Sequence, residues 1–176
     1  MDMGERFNGY SHLLGLALAV VGAAHLLMQT LAGGDAANIA GAAVFSLSMI
    51  ATYAASTLFH GASGSRKLFW RRADHCAIYV LIAGSYTPFA LACVPAGWGL
   101  LPLALLWAAA LMLVYRELRA RDSAQPAAAL YLGMGWACVL AAVPLAARLG
   151  TPALIWLVTG AALYTGGLVF WRNRSG

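Results

Sequence analysis

The stretch HCAIYVLIAGSYTPFALACVPAGWGLLPLALLWAAALMLVY, from His75 to Tyr115, runs 41 residues without an Asp, Glu, Lys or Arg. One helical crossing of a bilayer takes about 20 apolar residues, so this run has the length of two. Pro95, Ala96 and Gly97 stand near its middle and mark a turn between them. Four more charge-free stretches flank it: Phe7 to Gly34, Ala36 to Ser65, Ser123 to Ala147 and Leu149 to Trp171. Together they predict six transmembrane helices over about 11–32, 38–60, 74–94, 98–116, 126–147 and 151–171. The fold class is therefore all-α, a polytopic membrane helix bundle forming one integral-membrane domain over residues 1–176.

Composition agrees with that division. The chain is 62% hydrophobic and 10% charged, with mean hydropathy +0.76. Soluble domains carry about 25% charged residues, so both disorder and a water-soluble globule are excluded. Barrel strands alternate apolar and polar residues, whereas these runs are apolar all round. A cleaved leader is not expected either. Asp2, Glu5 and Arg6 replace the positive region of a signal peptide, and the following apolar run is too long for one.

Six spans put both termini on one side. That side receives Arg6, Arg66, Lys67, Arg71, Arg72, Arg116, Arg119, Arg121, Arg172 and Arg174, against Arg148 alone on the other. The positive-inside rule places the ten in the cytoplasm of a cell (plasma) membrane protein. The net charge of +5 follows from topology. Nucleic acid is not expected as a partner, because the basic residues sit in separate short loops. Membrane lipids are the expected partners, and a homo-oligomer is compatible with the pattern. Cys76, Cys93 and Cys138 show no CxxC spacing and read as packing residues.

Polar residues gather at one end of the expected bundle. The first helix opens with Glu5, Asn8, Ser11 and His12, the second closes with Ser56 and His60, and the third opens with Asp74 and His75. All fall in the cytoplasmic leaflet. Ionisable groups within spans are functional candidates, because burial there is costly unless they are paired or wet. Ser56 and His60 are four residues apart and share a helix face. A neutral imidazole is the commonest metal ligand, and a carboxylate can coordinate or act through water. Structural alternatives stand beside each. Ser56 also reads as a hydroxyl bonded back to its own helix, His60 as a helix-end imidazole, and Asp74 as the N-cap of the third helix. His75 reads as a headgroup or neighbour contact. His25 is a mid-span imidazole without an evident partner, and Tyr86-Thr87-Pro88 reads as a kink.

Taken together, Glu5-x-x-Asn8-x-x-Ser11-His12-x-x-Gly15, Ala55-Ser56-Thr57-Leu58-Phe59-His60, Arg72-Ala73-Asp74-His75-Cys76-Ala77-Ile78-Tyr79 and Ile82-Ala83-Gly84-Ser85-Tyr86-Thr87-Pro88-Phe89 resemble the hemolysin III family. That family belongs with the progestin/adiponectin-receptor and alkaline-ceramidase superfamily of seven-span proteins. The resemblance implies a zinc ion near the cytoplasmic face, with His60 as first ligand, Asp74 acting through a water, and Ser56 as polar neighbour. Ser56 and Asp74 are then the candidate catalytic residues, and His60, Asp74 and His12 the candidate metal ligands. The implied chemistry is metal-dependent hydrolysis of lipid amides. The family name carries the alternative of a non-enzymatic protein, pore-forming or serving membrane homeostasis or signalling.

The resemblance also implies a seventh helix bearing His-x-x-x-His. Here the chain ends at Trp171-Arg172-Asn173-Arg174-Ser175-Gly176, and no His follows His75. A zinc site ordinarily takes at least three protein ligands. The expectation is therefore a six-span or truncated form whose zinc shell needs His12 and Asp74 as substitutes, or donors from another chain.

Overall fold

The computed structural model describes residues 3–93, 100–120, 128–142 and 151–174. Six α-helices account for nearly all of them: α1 (Met3–Gly33), α2 (Ala36–Gly61), α3 (Ser65–Cys93), α4 (Leu100–Arg119), α5 (Ala128–Ala142) and α6 (Thr151–Arg174). Three of these, α1, α2 and α4, are long and apolar enough to cross a bilayer. The turn expected at Pro95 to Gly97 lies outside the described residues.

Local chemistry explains the joints. Gly34 takes φ +71°, a left-handed conformation that L side chains resist, and its N–H donates to the Leu31 carbonyl at 3.3 Å. Asp35 follows in extended backbone, and its carboxylate accepts from the Ala37 N–H at 3.1 Å, capping α2. A second left-handed glycine, Gly64 at φ +61°, ends the short link into α3.

The start of α3 corrects the sequence expectation. The helix begins at Ser65, nine residues before Asp74, so Asp74 is an interior residue and not an N-cap. Arg66, Lys67, Arg71 and Arg72 consequently sit on a helical extension instead of in a loop. No sequence signal opposed helix there, since Lys and Arg are good helix formers. Pro88 is accommodated inside α3. The Thr87 hydroxyl donates to the Ala83 carbonyl at 3.0 Å and accepts from the Trp107 indole N–H at 3.1 Å. This is the side-chain support expected around an intramembrane proline.

The helix α3 is the hub, packing against α2, α4 and α5, while α1 packs on α2 and α6 on α5. The α2–α3 seam is antiparallel and built from small residues. Gly41 lies under Pro88, where an added Cβ would meet the Pro88 Cα at 2.6 Å. Farther along, Gly84 lies against Ser48, and the Thr52 hydroxyl is 3.1 Å from the Ala77 carbonyl. Within lipid, helices associate by such close packing and hydrogen bonding rather than by exclusion of water. The same register, continued one turn, sets Ser56 opposite Asp74.

The exterior is as apolar as the core. Ser46, Ser48, Ser56 and Thr87 are buried, whereas Phe7, Leu18, Val21, Leu101 and Trp156 are exposed, Val21 by 69% and Trp156 by 76%. So extensive an apolar exterior has no place in water and fits acyl chains. The molecule is a membrane protein.

Candidate functional site at one end of the bundle

Three helices deliver the polar cluster. The α1–α2 pair is close because Gly15 carries no side chain: a Cβ there would collide with the Tyr53 ring. One turn earlier, the His12 ring stands 6.1 Å from that of Tyr53 and 5.4 Å from that of His60, centroid to centroid. Gly9 leaves room for His60, whose Cβ would lie 3.6 Å from an added one. One turn before His60 on α2, the buried Ser56 hydroxyl lies toward the Asp74 carboxyl of α3.

The four residues singled out by sequence, His12, Ser56, His60 and Asp74, therefore meet at one end of α1, α2 and α3. Their alternatives are answered unevenly. His60 closes α2, as a helix-end imidazole would, yet its Nδ1 is buried and lacks a hydrogen-bond partner among the described residues. A buried polar atom left unpaired costs about 1–3 kcal/mol. His60 Nδ1 shares this with Ser46 Oγ, Tyr131 Oη and Tyr164 Oη, which are likewise buried without a partner among the described residues. The donor types, two imidazoles and a carboxylate, suit zinc. Their spacing falls short of a shell: among the described residues, no three His, Cys, Asp or Glu side chains lie close enough together to hold a metal ion.

Two further contacts, an ion pair and a histidine–carboxylate hydrogen bond, were not legible beforehand. The Lys67 ammonium of α3 pairs with the Glu5 carboxylate of α1 and lies 5.2 Å from the centre of the Phe59 ring. His75 turns the other way, its Nδ1 2.9 Å from Glu117 Oε1 on α4, with only 15% and 10% of the two side chains exposed. Arg72 adds a 2.7 Å bond from Nη2 to the Ala120 carbonyl. Glu117 stands beside Arg116 and close to Arg119 in sequence, so counting charge alone hides an acid that faces inward. A cavity of about 580 Å³ lies elsewhere, between α3, α5 and α6, lined largely by apolar groups including Phe89, Trp156 and Leu157.

Such an arrangement defines a helical membrane protein with a polar cluster set into one end of an apolar bundle. The family model for Haemolysin-III related proteins matches residues 3–175, and the chain belongs to that family. It is 32% identical over 169 residues to the "Hemolysin-3 homolog" of Bacillus subtilis (strain 168), covering 95% of this chain and 79% of the relative. It is 33% identical over 171 residues to "Hemolysin-3" of Bacillus cereus, covering 94% and 77%. No solved structure matches the chain.

Proposed function

We propose that the protein is a six-span membrane protein with both termini in the cytoplasm, and that its inner rim is a zinc-binding centre. The buried, unpartnered Nδ1 of His60 beside the His12 ring carries the proposal. In it, His60 and His12 are ligands, Asp74 holds the cluster from α3, and Ser56 orients the Asp74 carboxyl. The described side chains do not complete a shell, so the remaining donors come from water, from another chain or from residues outside those described. A zinc ion bound there supplies a Lewis acid able to acidify water. Lipid amides, which the family resemblance suggests, are the substrate class, and they would present their polar bond at this headgroup depth.

Zinc titration of the purified protein tests it. The wild type is expected to hold zinc stoichiometrically and His60→Ala to lose it. Absence of zinc from metal-retaining preparations overturns the metal site. The relatives' name, hemolysin, favours a second function, membrane permeabilisation. Dye leakage from liposomes at defined protein concentration separates the two, because a hydrolase without pore activity leaves leakage unchanged.

A further inference from the structure

The end of the bundle that holds the polar cluster also holds guanidinium groups that the described part of the protein does not neutralise. On the flank of α3 away from Asp74, Arg72 Nη2 donates to the Ala120 carbonyl at 2.7 Å, which fixes its guanidinium at the end of α4. Arg116 and Arg119 stand within about one helical turn of that carbonyl, and both are exposed. The acid between them, Glu117, is turned inward on His75 Nδ1 at 2.9 Å, and the Glu5 carboxylate pairs with Lys67. Among the described residues, no carboxylate pairs with Arg72, Arg116 or Arg119. Three positive charges at one helix corner repel one another unless an anion joins them. The negative end of the α4 dipole offsets part of this charge, but among the described residues Arg72 alone of the three bonds a terminal carbonyl.

Depth identifies the anion. With 20 residues, α4 is about 30 Å long, the thickness of the hydrocarbon core, so its last turn stands at the headgroup boundary. Tyr115 is exposed there, as interfacial tyrosines are, and the Arg119 guanidinium carbon lies 5.4 Å from its ring centre. Leu105 and Met112, also exposed, lie on the same stripe of α4 as Arg116 and Arg119 and face acyl chains. A soluble acidic peptide would have to enter the acyl layer to reach Arg116. We propose that Arg72, Arg116 and Arg119 bind the phosphate of an anionic phospholipid whose chains lie along Leu105 and Met112. Guanidinium forks match phosphate oxygens two at a time, and the bond to Ala120 and the contact with Tyr115 hold two of the three forks in place beforehand.

Native mass spectrometry of the full chain in uncharged maltoside micelles tests this, with dioleoylphosphatidylglycerol titrated against dioleoylphosphatidylcholine. Phosphatidylglycerol is expected to stay bound where phosphatidylcholine does not. Arg116→Gln with Arg119→Gln should weaken it about thirtyfold, at about fivefold for each arginine beside an anionic headgroup. Arg6→Gln with Arg66→Gln removes the same charge from exposed positions on α1 and α3 and should leave the binding unchanged. Thermal unfolding in the same micelles checks the fold. Should the first pair melt early, Arg116→Lys with Arg119→Lys, which keeps the charge and loses the fork, still has to bind more weakly than wild type. Equal affinity for the two lipids, equal loss in the two glutamine pairs, or no loss in the first overturns the proposal. Displacement of the lipid by inorganic phosphate or by a soluble acidic peptide at equal concentration assigns the corner to another anion and also overturns it.

Discussion

Gly84→Ala is the smallest change that interrogates the seam on which the rim cluster depends. A Cβ at Gly84 would collide with Ser48 Oγ, lie 3.0 Å from Ser48 Cβ and 3.6 Å from the Val44 carbonyl oxygen. The hydroxyl could rotate aside, but the Ser48 Cβ is fixed to the α2 backbone, so relief requires the helices to part. Overpacking of this kind costs about 1–3 kcal/mol. Against it stands the helical preference for Ala over Gly, worth roughly 0.5–1 kcal/mol. The steric term wins, and Gly84→Ala is expected to lose about 1–2 kcal/mol net. Ser48→Gly combined with Gly84→Ala moves the small residue to the other helix and removes both close contacts. The double variant should return to within about 1 kcal/mol of wild type, because the two propensity changes oppose each other. Reversible unfolding in mixed SDS micelles measures each. A Gly84→Ala protein as stable as wild type, or more so, refutes the close α2–α3 approach.

Other consequences are smaller in scope. Asp74→Asn should weaken zinc binding about 10–100-fold, less than His60→Ala, if Asp74 acts through its neighbours; isothermal titration decides, and an equal or larger loss makes Asp74 a direct ligand. His75→Ala should destabilise by about 1–3 kcal/mol, since Glu117 is left without its partner at 10% exposure. A double-mutant cycle with Glu117→Ala should then give a coupling above about 0.5 kcal/mol. With the native cysteines replaced, Ser63→Cys should react with an impermeant thiol reagent from the cytoplasmic side and Ala36→Cys from the opposite side; the reverse pattern contradicts the orientation.

Particular residues show where sequence was informative. The helices themselves were legible from charge-free runs, because a bilayer imposes length and apolarity on anything that crosses it. His12, Ser56, His60 and Asp74 could be assigned to one end by topology alone. Their pairing could not. It depends on Gly15 lying against Tyr53 and Gly84 against Ser48, contacts between residues distant in the chain. The third helix begins nine residues before the start expected at Asp74, because the basic segment ahead of it resembles a loop in charge, though Lys and Arg favour helix. His25 looked unpartnered because Gln29, one turn on, is an ordinary polar residue until its side chain is seen to turn back.

The central claim is that α2 and α3 bring Ser56 and Asp74 face to face at the end where the His12 and His60 rings lie 5.4 Å apart, centroid to centroid. Cross-linking Ser56→Cys with Asp74→Cys in native membranes by a short bifunctional thiol reagent, native cysteines replaced, tests it most directly. A rapid intramolecular cross-link is predicted for this pair and none for Ser56→Cys with Ala90→Cys, toward the far end of α3. Failure of the first pair, or equal reaction of both, would contradict the arrangement.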